Sequence, residues 1–71
     1  MIRFVRISDA CRRLGLSRSK VYRLIGAGEL PPLVHLPGGL PGRAPSAFVE
    51  TEFERAQRSW IRERDRELAN A

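Results

Sequence analysis

The chain has 71 residues, of which 42% are hydrophobic and 30% charged, and its formal net charge is +5. A chain of this length is expected to form one domain over residues 1–71, because it buries only about 60% of its unfolded surface and has no room for a deep substrate cleft beside a core. These limits favour a binding module over an enzyme, with no cofactor and no small-molecule substrate.

Cysteine usage and hydropathy restrict the setting in which the chain works. With Cys11 as the one cysteine, an internal disulfide is excluded and a reducing, intracellular environment is indicated. Cys11 is expected to be a buried small apolar residue, and His35 a structural or exposed histidine, so no metal site is expected. No apolar run approaches the ~20 residues that span a bilayer, and the N-terminal segment lacks a signal-peptide pattern. We therefore expect a cytoplasmic protein with no membrane partner.

Positive charge is concentrated in the N-terminal part of the chain. Residues 1–28 contain seven cations and one acid, a formal charge of +6, whereas residues 29–54 sum to −3 and residues 55–71 to +2. Such a basic segment is typical of a surface that binds a polyanion. A GC-rich genome would also explain the many arginines, but it explains less well why acids are so scarce in residues 1–28.

The first half of the sequence predicts a short strand and two short helices. Residues 2–7, IRFVRI, alternate apolar side chains with arginines and indicate a strand or an extended lead-in. Ser8 is expected to cap a first helix that ends at Gly15. After a three-residue turn, Ser17 is expected to cap a second helix, which runs to about residue 27 and ends at Gly28. The positions expected to face the core are Ala10, Cys11, Leu14, Val21, Leu24 and Ile25.

The second half predicts a hairpin followed by a third helix. Residues 33–36 and 46–49 indicate two strands, separated by a loop rich in proline and glycine. Thr51 and Glu54 form a predicted capping box at the start of the third helix. Its expected core positions are Phe53, Ala56 or Gln57, Trp60 and Ile61. Residues 62–71 show no sustained apolar stripe, so we expect this segment to fray.

The spacing around Gly15 is typical of a helix-turn-helix. A small residue, Cys11, precedes the glycine by four positions, and apolar Leu16 follows it directly. Val21 and Leu24 come six and nine positions after the glycine, as two helices that cross around a tight turn require. The predicted fold is therefore mainly α with a small β-hairpin, a winged helix-turn-helix.

The predicted outer face of the second helix carries groups that bind DNA. Opposite the apolar positions lie Ser19, Tyr22 and Arg23, with Arg18 and Lys20 at the flanks. Hydroxyls and cations of this kind contact phosphates and base edges in the major groove, and the helix N-terminus after Ser17 can receive a phosphate. The alternative is a solvated face that is basic by chance.

Arg43 is a further candidate, within the predicted hairpin loop. It is the one cation between Arg23 and Arg55, and Pro41 and Pro45 stiffen the segment around it. An arginine presented in this way suits a narrow minor groove or a phosphate. The alternative is a solubilising loop charge.

Three motifs carry a family resemblance: RISDACRRLGLSRSKVYRLIGAGELPPLVHL, GRA and FVETEF. Together they resemble the AlpA family of short phage and prophage regulators, relatives of excisionase and MerR-type proteins. The resemblance covers roughly residues 4–60. It implies a winged helix whose second helix enters the major groove while the hairpin wing lies on an adjacent groove. It also implies that Arg18, Ser19, Tyr22 and Arg23 belong to the recognition helix and that Arg43 lies at the wing tip.

The sequence thus predicts a bacterial, nucleoid-associated transcriptional regulator of phage, prophage or mobile-element type that binds specific double-stranded DNA. The expected DNA-binding residues are Ser17, Arg18, Ser19, Lys20, Tyr22, Arg23 and Arg43. Because one small module contacts a short site, repeated sites or cooperative self-association on DNA would supply affinity. Two alternatives remain open: an excisionase-type protein that bends DNA, and a protein-interaction module that uses its arginine-rich C-terminal helix.

Overall fold

Short strands and helices alternate along the chain before one long C-terminal helix. The structure, a computed structural model, describes residues 1–38 and 45–70. Within those residues the elements, in chain order, are β1 (Phe4–Arg6), α1 (Ile7–Leu14), α2 (Arg18–Gly26), β2 (Val34–His35), β3 (Ser46–Val49) and α3 (Glu50–Ala69). The predicted class, mainly helical with a small antiparallel sheet, is confirmed.

The strands form one sheet in which the last strand is central. The order is β1-β3-β2, and both pairings are antiparallel. Val5 lies opposite Phe48 on the face that packs on the core, where they are 2% and 0% exposed. The two predicted hairpin strands are present, and the predicted lead-in pairs with them as a third strand. This pairing brings the start of α1 beside the base of the hairpin.

The turn between α1 and α2 forms as predicted. Gly15 adopts a left-handed conformation with φ 68°, which favours glycine. The backbone N–H of Leu16 donates to the carbonyl of Cys11 at 3.1 Å. Ser17 caps α2, since its Oγ accepts a hydrogen bond from the Lys20 N–H at 3.3 Å. Sequence and structure therefore agree on the geometry that orients α2.

The core lies between the sheet and the three helices. Its buried side chains are Val5, Ile7, Ala10, Val21, Leu30, Phe48 and Phe53. The rings of Phe48 and Phe53 stack with centroids 5.1 Å apart, which joins β3 to α3. Around this cluster pack the half-buried side chains of Cys11, Leu14, Leu16, Leu24, Ile25, Leu33, Ala56 and Trp60. The expected core positions of α1 and α2 thus face inward, although Cys11 is half-buried rather than buried.

The predicted start of α1 is wrong. The helix begins at Ile7, directly after β1, with Arg6 at the N-cap position and no side-chain cap. Ile7 is 7% exposed, so its side chain packs in the core from the first helical residue. Ser8 therefore lies inside the first turn, exposed, instead of capping it.

The predicted capping box of α3 is also wrong. The helix begins at Glu50, directly after β3, and neither Thr51 nor another side chain caps it. A backbone group from another element takes that role, because the Glu50 N–H donates to the carbonyl of Arg3 at 2.8 Å. Sheet pairing of β1 with β3 places that carbonyl beside the helix start.

Helix α3 extends well past the core. Ile61 is 50% exposed and so does not belong to the core, contrary to expectation. The helix passes beyond the sheet after Trp60, and its remaining residues to Ala69 are exposed. The predicted fraying concerns opening of this segment in solution and stays a prediction.

Candidate nucleic-acid interface

Helix α2 divides into a packed face and a solvent face. Val21 is fully buried, and Leu24 and Ile25 are half-buried against the core. Tyr22, by contrast, leaves 48% of its surface exposed. The other predicted contact residues at this helix are exposed as well: Ser17, Arg18, Ser19, Lys20 and Arg23. Six predicted site residues are thus brought together on one helix and its cap.

The seventh predicted residue, Arg43, lies outside the described residues. The structure does place β2 and β3 side by side, with Val34 opposite Ala47 and His35 opposite Ser46. The segment that carries Arg43 therefore connects two paired strands. Its contact with DNA stays a prediction, as do the contacts of the residues on α2.

Ion pairs distinguish two arginines of α1 from the cations of α2. On α1, Arg12 pairs with Asp9 at 2.8 Å and Arg13 with Glu50 at 3.3 Å. Within residues 1–38 and 45–70, no ion pair involves a cation of α2. The α2 charges are therefore available to an external anion, whereas Arg12 and Arg13 already have internal partners.

A cavity beside α2 adds residues that the sequence did not predict as site residues. It has a volume of about 240 Å³, and Arg18 and Tyr22 of α2 form one wall. Arg6 and Ser8 from the β1–α1 junction and Ser46 from β3 line the rest. For Arg6 the sequence offered one signal, since it is a basic residue in the predicted lead-in. Their convergence depends on the pairing of β1 with β3.

His35 supports the hairpin side of this cavity. Its Nδ1 lies 3.0 Å from Ser46 Oγ across the β2–β3 pair, within hydrogen-bond distance. The imidazole is exposed, in agreement with the predicted structural or exposed histidine. The Ser46 hydroxyl is therefore held at the edge of the cavity.

The side of the molecule between α3 and the loop after α2 has a different charge. A second cavity there, of about 320 Å³, is lined by Glu29 and Glu52 as well as Arg55. Acids in the first turn of α3, Glu50 and Glu52, also suit the positive end of that helix. The described part of the molecule thus has a basic side at α2 and a more acidic side at the start of α3.

The described residues were also compared with what a metal site and a membrane-spanning helix require. Among the described residues, no group of three or more His, Cys, Asp or Glu side chains is placed to hold a metal ion. None of the described helices combines the length and hydropathy that a bilayer crossing requires.

A comparison with known protein families finds a match over the N-terminal part of the chain, which includes the basic helix α2. A family model described as "Helix-turn-helix domain" matches residues 4–44, from β1 through α2 and into the segment before β3. That span includes every predicted DNA-binding residue. No solved structure matches the chain.

A curated relative comes from a bacteriophage. The chain is 50% identical over 36 residues to "Uncharacterized protein ORF88" of Enterobacteria phage P4, a match that covers 51% of this chain and 41% of the phage protein. The chain therefore matches less than half the length of that relative.

Proposed function

Because the chain belongs to the helix-turn-helix domain family, we propose that it is a sequence-specific DNA-binding regulator whose helix α2 enters the major groove. The expected resemblance to phage-type helix-turn-helix regulators is confirmed by this family and by the phage relative. Duplex DNA is the proposed partner, and the bacterial nucleoid is the proposed place of action.

The observation that carries this proposal is the state of the cations on α2. Arg18, Lys20 and Arg23 are exposed, and within the described residues none of them forms an ion pair. Folding does not require such a cluster, since like charges on one helix repel each other. Phosphates and the acceptor edges of bases would remove that repulsion.

The dimensions of α2 support this mode of binding. A helix with its side chains is about 10–12 Å wide, which fits a major groove about 12 Å wide. In the proposed complex, Ser19 and Arg23 face base edges. The N-terminus of α2 behind Ser17 and the flanking Lys20 lie near phosphates. Arg43 contacts DNA from the hairpin, next to the groove that α2 occupies.

We further propose that DNA binding regulates transcription of phage, prophage or mobile-element genes. The phage relative supports this setting. An excisionase-type protein would use the same interface to bend DNA at a recombination site. A bending assay on the selected site, beside a reporter gene driven from a promoter that contains it, separates the two roles.

The direct test is selection of bound sequences from random duplex DNA in the presence of non-specific competitor. We expect one short enriched motif for the unaltered chain and a weaker or altered motif for Arg23→Ala. Arg55→Ala is the matched control, because Arg55 is also exposed and forms no ion pair within the described residues, but it lies on α3. Recovery of no motif, or equal effects of the two variants, would contradict the proposal.

A further inference from the structure

The cavity beside α2 has the composition of an anion site. Four elements contribute to it: Arg6 ends β1, Ser8 lies in the first turn of α1, Arg18 and Tyr22 come from α2, and Ser46 comes from β3. The described residues that line this cavity therefore include two arginines and three residues with hydroxyl groups, and none of these described residues is acidic. Guanidinium groups and hydroxyls are the donors that proteins use to bind phosphate.

The two arginines have no internal counter-ion in the described part of the chain. No ion pair of residues 1–38 and 45–70 involves Arg6 or Arg18. The nearest acid in sequence, Asp9, is engaged by Arg12 at 2.8 Å. Two like charges at one cavity repel each other, and an anion bound between them would convert that repulsion into two attractive contacts.

The start of α1 also favours the binding of an anion in this cavity. The helix begins at Ile7, which itself lines the cavity, and no side chain caps its first turn. The first N–H groups of a helix have no partner within the helix and carry a partial positive charge. These N–H groups add to the side-chain donors of the cavity.

The volume fits a phosphate group together with bound water. The cavity of about 240 Å³ is several times the roughly 30 Å³ that one water molecule takes up in the liquid. That space accommodates one tetrahedral phosphate group and its remaining hydration. The cavity is accessible from solvent, because Arg18 and Tyr22 in its wall are exposed.

We infer that this cavity binds one phosphodiester of the DNA backbone at the edge of the major groove, with Arg6 and Arg18 as its charged ligands. The inference rests on the proposed function and divides the residues of α2 by role. Arg18 and Tyr22, one turn apart, bind phosphate together with Ser8 and Ser46. Ser19 and Arg23, outside the cavity lining, remain for base edges.

The test compares Arg6→Ala with Arg55→Ala on the selected duplex and on an unrelated duplex across a range of salt concentrations. Arg6→Ala is expected to weaken binding to both duplexes by a similar factor, to lower the salt slope by about one, and to leave the selected motif unchanged. Arg55→Ala is expected to leave the slope unchanged. An unaltered slope in Arg6→Ala, or a changed motif, would overturn the inference.

A modified duplex locates the contact. Single phosphates along the selected site are replaced by neutral methylphosphonates. One position is expected to weaken binding of the unaltered chain but to have a smaller effect on Arg6→Ala, because the variant has already lost the contact. If no position shows this coupling, the cavity does not bind the backbone. Ser8→Ala, at an exposed site, repeats the test without removing a charge.

Inorganic phosphate distinguishes a backbone site from a site for free anions. At ionic strength matched with chloride, phosphate is expected to compete with DNA in the unaltered chain, and Arg6→Ala is expected to lose this extra competition. Binding of phosphate to the chain without an effect on DNA affinity would show a free-anion site and overturn the inference. Absence of any sequence selection by the unaltered chain would instead overturn the proposed function, so the two failures are distinct.

Discussion

Single residues at the turn between α1 and α2 control how the proposed recognition surface is oriented. Gly15 has φ 68°, and a Cβ added there would meet no atom within 4 Å. The need for glycine is therefore conformational rather than steric. Gly26, by contrast, is helical, and a Cβ there would also meet open space. The two glycines therefore differ in backbone conformation: that of Gly15 disfavours a side chain, whereas that of Gly26 accepts one.

Substitution of these glycines is predicted to change stability in opposite directions. Gly15→Ala should lower the free energy of unfolding by about 1–2 kcal/mol, because a side chain disfavours the left-handed conformation. Gly26→Ala should raise it by about 0.5 kcal/mol, because alanine loses less backbone entropy in a helix. Urea denaturation of the two variants measures both changes, and a shift of equal sign in both would contradict the assigned backbone roles.

Arg23 is the residue at which base recognition can be tested most directly. It is exposed on α2 and does not line the cavity assigned to phosphate. Arg23→Ala is therefore predicted to weaken specific binding by about 1–3 kcal/mol and to relax discrimination at one base pair. Affinities for the selected duplex and for its single-base variants measure both effects. Uniform weakening on every sequence would make Arg23 a phosphate contact instead.

At the scale of elements, β3 links the two sides of the proposed interface. It pairs with β1, which leads directly into α1, and with β2 of the hairpin. The stacked rings of Phe48 and Phe53 fix β3 to α3 at the same time. The hairpin is therefore attached to the helix-turn-helix through the core, and its position relative to α2 is set by packing.

The hairpin loop is predicted to add one electrostatic contact with DNA. Arg43→Ala should weaken binding and lower the dependence of log K on log[salt] by about one, because one phosphate contact is lost. The salt series is measured on the selected duplex. Its control is Arg12→Ala, which removes a cation that already pairs with Asp9 at 2.8 Å. Unchanged affinity in Arg43→Ala would make this arginine a solubilising charge.

The elements differ in how far the sequence alone predicts them. Helix α2 is predictable because its signals are local: Ser17 caps it, the apolar period orients it, and Gly28 follows its end with φ 79°. The starts of α1 and α3 are not predictable in this way, since strands run directly into both helices. The first N–H of α3 is satisfied by the carbonyl of Arg3, a contact between distant parts of the chain.

The residues of the candidate site also differ in how far the sequence alone predicts them. Five of the six predicted contact residues at α2 follow from helical periodicity, because exposure on a helix is a property of local spacing, and Ser17 follows from its capping position. The cavity that joins Arg6 to Ser46 depends on sheet pairing, for which the short strands offer little information in sequence. Sequence patterns therefore predict the exposed face of α2 but not the proposed phosphate site beside it.

At the scale of the whole molecule, charge and shape separate α2 from the far end of α3. The principal dimensions are 51 × 29 × 19 Å, and α3 continues to Ala69 beyond the core. Residues 62–67 contain three arginines and three acids, so this segment has no net charge. Within it, Arg64 pairs with Asp65 at 2.8 Å and Arg66 with Glu63 at 3.7 Å. Two of its three arginines thus have ion-pair partners, unlike the cations of α2, whereas Arg62 has none within the described residues.

This charge balance predicts the result of removing the end of α3. If about five phosphates are neutralised by the N-terminal cations and the hairpin, log K should fall with log[salt] at a slope of about −4.5. A chain that ends at Ile61 loses no net charge, so it should retain this slope and bind the selected duplex within about twofold. Salt titrations of the two chains, measured side by side, give both quantities.

The same truncation decides between DNA recognition and the alternative of an interaction module built on the arginine-rich helix. If the tail supplied the polyanion contacts, its removal would abolish binding and flatten the salt dependence, even though the net charge is unchanged. The buried side chains all precede residue 54, and the last half-buried contact is Trp60, so the shortened chain keeps the packing that orients α2. Circular dichroism and urea denaturation check that the shortened chain folds, and any loss of affinity in a folded chain is then attributable to the tail itself.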